Sequence, residues 1–179
     1  MPTQPNADNG AIIDVIAVLL LCSSLVETDD VVALGRLQSS YADVVNRRDW
    51  QRLRDLFRPD ATVHIDTVTA PARTLAGPEA LGEFIGAAIE RFDHFSFVIL
   101  NTVVELDGTD AARGRIFMCE IRHDTASDAW SVAHGLYEDD YARTDGRWWF
   151  AARRYRSLAR TGAQAGVFGL PDGLQPFSR

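Results

Sequence analysis

The chain has 179 residues, 46% of them hydrophobic and 24% charged, which fits one folded domain with its own core and neither wholesale disorder nor an integral membrane protein. All eighteen basic residues are Arg, so Schiff-base lysines, P-loop lysines and lysine general bases are excluded. Asp and Glu outnumber them, and a net charge of −7 repels phosphate backbones, which argues against nucleic acid as a partner.

Residues 1–10 are polar with Pro, Asn and Gly and are expected to form a disordered lead. Residues 11–26 are apolar apart from Asp14 and the Ser23-Ser24 pair. They lack a positive n-region and fall short of the roughly 20 residues of a membrane span. Leu20-Leu21-Cys22 also puts Leu where a lipoprotein cleavage site needs a small residue. A buried or partner-facing helix, with no membrane partner, is the expectation, and residues 1–28 then form an N-terminal extension. Cys22 and Cys119 show neither zinc spacing nor a disulfide framework, which suits a reduced cytoplasm. From Thr28-Asp29 onward, Val32, Leu34, Leu37, Tyr41, Val44 and Val45 keep helical spacing, with acids at the start and Arg47-Arg48 at the end. Asp49 precedes Trp50, Leu53, Leu56 and Phe57 and is expected to cap a second short helix that Pro59 stops.

Residues 61–66 alternate apolar with polar and predict a strand, followed by a loop through Pro71 and a short extended piece at 73–75. Gly77-Pro78-Glu79 opens a third helix with Leu81, Phe84, Ile85, Ala88, Ile89 and Phe92 on one face. Long strands follow at 94–106, 112–123, 130–143 and 147–158, separated by Asp107-Gly108, a polar loop and Thr144-Asp145-Gly146. Strict alternation in the first puts Phe95, Phe97, Ile99 and Val103 on one face and Val98, Leu100, Val104 and Leu106 on the other. Residues 161–179 read as an irregular tail. Helices first and long strands afterwards predict an α+β fold, a strongly curved and mostly antiparallel sheet closed by about three N-terminal helices into a cup. One face of the sheet packs on the helices and the other is left for a second subunit, so a homodimer is expected. The mouth of such a cup suits a small hydrophobic or cyclic molecule.

The run from Tyr41 to Trp50 (YADVVNRRDW), then Leu53, Leu56-Phe57, Pro59-Asp60-Ala61, Gly77 to Leu81 (GPEAL), Val104 to Gly108 (VELDG) and Tyr141 to Trp148 (YARTDGRW), resembles a SnoaL-like domain of the nuclear transport factor 2-like superfamily. The resemblance covers roughly residues 29–160. It implies a cone-shaped cup, usually dimeric, with no obligatory cofactor, among relatives that include polyketide cyclases, ketosteroid isomerases, scytalone-type dehydratases, a dehydrochlorinase and binding proteins. In the dehydratase relatives an Asp on the first long helix orients a proton-abstracting His on the first long strand. The matching positions here carry Asn46 and Phe97. His94 lies three residues earlier, and on a regular strand it faces away from the cup unless a bulge shifts the register.

Glu120 lies in an otherwise apolar strand, at a position where some of these relatives place a cup-facing acid. A carboxylate among apolar walls is poised for general acid or base work, and the competing reading is an ion pair with Arg122, Arg115 or an Arg of the last strand. Tyr41 matches a position where relatives bind a substrate oxygen, although a plain core tyrosine reads the same. His64 and Asp66 share one side of their strand, either the mouth or a wet edge. Arg153 is suited to an anionic or carbonyl group in the cup, or else pairs with surface acids such as Asp139. The histidines show no metal-ligand spacing. Two functions stay open. One is a cofactor-free lyase or isomerase of dehydratase or cyclase type, with Glu120, His94 and Tyr41 as catalytic residues and Asn46, His64, Phe97 and Arg153 binding substrate. The other is a non-catalytic binding or assembly module.

Overall fold

A computed structural model describes residues 8–162 and 164–174, with side chains from Glu27 onward. Helix α1 (Asp8–Arg47) runs unbroken for 40 residues, so the apolar segment 11–26 and the amphipathic stretch after it form one rod. Only residues 8–10 of the expected disordered lead are described, and they are helical; residues 1–7 lie outside the described residues, as do the side chains on which a partner-facing role for 11–26 depends. Leu34, Leu37, Tyr41, Val44 and Val45 form the buried face of α1, as their spacing requires.

The end of α1 corrects the role expected of Asp49. Arg48 takes a left-handed φ of 56°, Arg48 N–H donates to Val45 C=O at 3.2 Å and Asp49 N–H to Val44 C=O at 3.0 Å. That paired closure satisfies the last carbonyls of a helix, so Asp49 terminates α1 through its backbone. Its side chain makes no capping bond, and the next element is a single 3₁₀ helix, Trp50–Asp55. Pro59 does not end a helix either, for it lies inside strand β1 (Phe57–Asp66).

Then come β2 (Arg73–Ala76), α2 (Gly77–Ile89), β3 (Phe92–Asp107), β4 (Ala111–Asp124), β5 (Ala129–Thr144), β6 (Arg147–Arg160) and the short β7 (Gly166–Val167). The main path through the sheet is β2-β1-β6-β5-β4-β3, with β7 on β6. Every pairing is antiparallel except β1 with β6, which makes the sheet mixed. The long strands curl around Tyr41, whose ring meets Phe57, Phe97, Tyr137 and Phe150 edge-on at 5.6–6.2 Å. Leu53 and Phe57 of the 3₁₀ segment and β1 are fully buried at the same level.

Two irregularities in β3 set which side chains enter the cup. The register against β4 shifts between Phe92 and His94 and again between Ile99 and Asn101. The second shift moves Val104 and Leu106 to the core side and leaves Val98, Leu100 and Val103 exposed on the outer face. Strict alternation had joined Val103 to Phe97 and Val104 to Val98; a one-residue bulge exchanges them. Ile121 and Trp130 extend this exposed apolar surface onto β4 and β5.

Candidate functional site

Along β5, Tyr137, Asp139 and Tyr141 share the inner face; along β6, Arg153, Tyr155 and Ser157 do. The register sets Tyr137 beside Tyr155 and Asp139 beside Arg153. Arg153 and Asp139 are each only 1% exposed. Arg153 Nε donates to Asp139 Oδ1 at 2.7 Å and Nη2 to Oδ2 at 2.8 Å, the two-point pairing that makes guanidinium–carboxylate bonds strong and directional. Gln38 reaches in from α1. Its Oε1 accepts from Arg153 Nη2 at 3.1 Å, and its Nε2 donates to Asp139 Oδ2 at 2.6 Å and to the Tyr141 hydroxyl. Burial works against the Arg153 charge and the Asp139 carboxylate more than reverses this, so the guanidinium holds its proton above the ordinary arginine range. The rings of Tyr41, Tyr137 and Phe150 lie 4.1–4.4 Å from its central carbon, a cation–π cage. Its Nη1 is buried with no acceptor among the described residues.

Arg153 forms the floor of a cavity of about 310 Å³, near the lower end of the range for small-molecule pockets. Leu81, Phe84, Ile85 and Ile89 of α2 and Val63 and Ile65 of β1 supply apolar wall. Tyr41, Tyr137 and Tyr155 contribute ring and hydroxyl, and Glu120 is the one carboxylate among the lining residues. Burial raises all three hydroxyls above the ordinary tyrosine value, Tyr137 well above it and Tyr155 to about 12, and the Glu120 charge pushes each the same way. They therefore stay protonated as donors. Glu120 sits directly opposite Phe97 on β3, which fixes it on the cup side, and it is ion-paired with Arg122. The expected acid thus lies in the cavity and carries the structural ion pair as well.

The other expected residues are distributed differently. Tyr41 and Arg153 line the cavity with Glu120, whereas His94, Asn46, His64 and Phe97 do not. The bulge that would have been needed to turn His94 inward exists, but it precedes His94, so Phe95 and Phe97 point in and His94 points out. The His94 ring lies against Trp130 at 5.1 Å. Asn46 is a clamp: its Nδ2 donates to Phe97 C=O at 2.9 Å and its Oδ1 accepts from Phe97 N–H at 2.7 Å, tying α1 to β3. Phe97 itself fills the core beside Tyr41. His64 alternates with the cavity residues Val63 and Ile65 and bonds Thr74 across β2 at 3.1 Å, on the opposite side of the strand. Arg153 does pair with Asp139, but Asp139 is a buried group, not a surface acid.

Sequence reasoning passed over Gln38, Tyr137 and Tyr155 and placed Asp139 on the surface. The signal was a strand period of two, Tyr137-x-Asp139-x-Tyr141 and Arg153-x-Tyr155-x-Ser157, each putting polar and aromatic groups on one face. Among the described residues no three His, Cys, Asp or Glu groups converge as a metal site, and no helix is long and apolar enough to cross a membrane.

A curved sheet and helices enclosing a cavity of this size define an α+β cup. The chain belongs to the SnoaL-like domain family, which matches residues 26–154, within the nuclear transport factor 2-like superfamily. Curated proteins give no significant match. Among solved structures, a proposed scytalone dehydratase from Novosphingobium aromaticivorans is similar at 20% identity, over 86% of this chain and 99% of that one, with a TM-score of 0.70. Hexachlorocyclohexane dehydrochlorinase LinA-type3 from Novosphingobium barchaimii is 21% identical over 83% of this chain and 99% of its own, at 0.69. An NTF2-like protein with a cystatin-like fold from N. aromaticivorans follows at 19%, over 81% and 92%, at 0.67. At such identities the likeness establishes the fold.

Proposed function

We propose that this protein is a cofactor-free lyase or isomerase acting on a small cyclic, polyketide-like or steroid-like molecule held in the cup. The observation that carries the reading is Glu120, the one carboxylate lining the cavity, placed among tyrosine hydroxyls that remain protonated. Glu120 takes a proton from the carbon beside a substrate carbonyl, and the electron pair moves onto the carbonyl oxygen as an enolate. The Tyr41 hydroxyl donates to that oxygen, with Arg153 fixed beneath it as a permanent positive charge. Collapse of the enolate expels a β-substituent in a lyase, or returns the proton at another carbon in an isomerase. Asn46 serves by positioning Phe97, and His94 and His64 take no part. A dehydratase and a dehydrochlorinase among the similar folds agree with elimination chemistry.

Exchange of the α-protons of 2-tetralone in deuterated water, followed by NMR, tests the step without the natural substrate. The protein should accelerate exchange, and Glu120→Gln should lower that acceleration by about 100-fold or more. Exchange unchanged by the substitution sinks the assignment. A second reading, a module that binds an apolar molecule without turning it over, is favoured by Asn46 and Phe97 standing at the positions of the family's Asp and His. It predicts a ligand-dependent rise in melting temperature with no exchange.

We further propose a cytoplasmic homodimer joined through the outer face of the sheet, where Val98, Leu100, Val103, Ile121 and Trp130 are exposed. Leu100→Glu should shift the sedimentation coefficient from dimer to monomer; a chain that sediments as a monomer before substitution refutes the pairing.

A further inference from the structure

Four guanidiniums line the cavity, those of Arg91, Arg122, Arg153 and Arg160. Three have carboxylate partners: Arg91 meets Asp124 at 3.3 Å, Arg122 is paired with Glu120 and Arg153 with Asp139. No carboxylate among the described residues pairs with Arg160. Its Nη2 donates to Ser157 Oγ at 2.7 Å and more weakly to Thr67 C=O at 3.4 Å, and its Nη1 to Gln164 Oε1 at 3.0 Å and Thr69 Oγ1 at 3.4 Å. All four acceptors are neutral, and Arg160 Nε is buried with no partner among the described residues. A half-buried cation oriented by fixed dipoles and lacking a counter-ion loses hydration without gaining a pair, an arrangement that an incoming anion completes.

Its position is equally specific. Glu120, Ala133 and Arg160 lie in one register row across β4, β5 and β6, so Arg160 and Glu120 flank a small residue at two strand spacings, roughly 9.6 Å. Glu120 is already matched by Arg122, whereas Arg160 has no such match among the described residues. Across the cavity stand Leu81, Ile85 and Ile89. The chain as a whole is acidic, so long-range attraction works against anions and recognition has to come from this local group.

We propose that the substrate is a small amphipathic carboxylate, whose cyclic hydrophobic body packs against α2 and whose carboxylate binds Arg160 at the mouth of the cup. The inference rests on the small-molecule reading of the cavity and names the class of molecule for that same site.

Isothermal titration calorimetry of the full chain with naphthalene-2-carboxylate and with the neutral 2-naphthamide tests it. The carboxylate should bind at least about tenfold more tightly than the amide, and the advantage should shrink as salt rises. Arg160→Gln should bring the two ligands to within about twofold while amide affinity holds, and Arg160→Lys should keep most of the preference. Equal binding of both ligands by the unsubstituted protein overturns the anion assignment and leaves the pocket reading in place. So does a preference that survives Arg160→Gln, or a substitution that removes amide binding as well, which would mark Arg160 as a strut for the 67–70 loop. Failure of both ligands to bind overturns the pocket reading along with the proposal.

Discussion

Asp139 and Arg153 are charged groups placed where water cannot reach them, and their worth to the fold depends on each other. Removing one partner of a buried pair leaves the other charge unmatched, a loss of about 3–5 kcal/mol, whereas replacing both by apolar groups is often neutral. Asp139→Ala should therefore lower unfolding stability in urea by about that amount, because Arg153, Gln38 Nε2 and the Tyr141 hydroxyl all lose their acceptor. The double variant Asp139→Leu with Arg153→Met should recover part of the loss, and a double variant less stable than the single one would contradict the account. The same two residues mark where the sequence was hard to read. Glu120 stood out because its neighbours Met118, Cys119 and Ile121 are apolar. Asp139 did not, since it lies in the acidic run Glu138-Asp139-Asp140, and composition alone cannot tell that the middle acid of three faces inward. Strand parity carries that information, and it is usable only once the register is known.

At the level of elements, periodicity located the long strands to within two residues at each end, because alternation and the turn signals Asp107-Gly108 and Asp145-Gly146 act locally. It missed the two shifts in β3, which depend on how that strand must bend to stay paired with β4 rather than on any residue type. Strict alternation therefore puts Val103, Val104 and Leu106 on the wrong faces, while His94, Phe97 and Glu120, on the stretch between the shifts, keep regular register. A related constraint sits at Gly135, beside an irregularity between β5 and β6. A Cβ there would lie 2.3 Å from Tyr155 Cε2 and 2.8 Å from Met118 Sδ, so the bare backbone is what lets Tyr155 lie flat in the cup. Gly135→Ala should cost about 1–3 kcal/mol by overpacking, measured as a lower urea midpoint at unchanged slope. It should also weaken binding of 2-naphthamide, since the displaced ring lines the cavity. A neutral substitution would mean that Tyr155 moves freely and is no fixed wall.

Across the whole molecule the absence of lysine has a physical consequence beyond excluding lysine chemistry. Arginine stays charged up to the limit of ordinary alkaline titration, so above the histidine and amino-terminal range the side chains that lose protons in this chain are its four tyrosines and two cysteines. Three of the tyrosines line the cavity and Tyr141 is buried in the core, and burial raises every one of them, Tyr137 and Tyr141 most and Tyr155 to about 12. In the unfolded chain they ionise near the ordinary value of about 10. A folded pKa above the unfolded one means that the stability these groups confer is whole below about pH 10 and is lost as pH rises through the folded values. The ultraviolet absorbance of tyrosinate should then stay flat through about pH 10 and rise steeply only where circular dichroism reports loss of the sheet, because desolvated hydroxyls release protons when the cup opens. Gradual ionisation near the ordinary tyrosine value, with the sheet intact, would mean that water already reaches the hydroxyls, and the closed floor built around Arg153 would have to be abandoned.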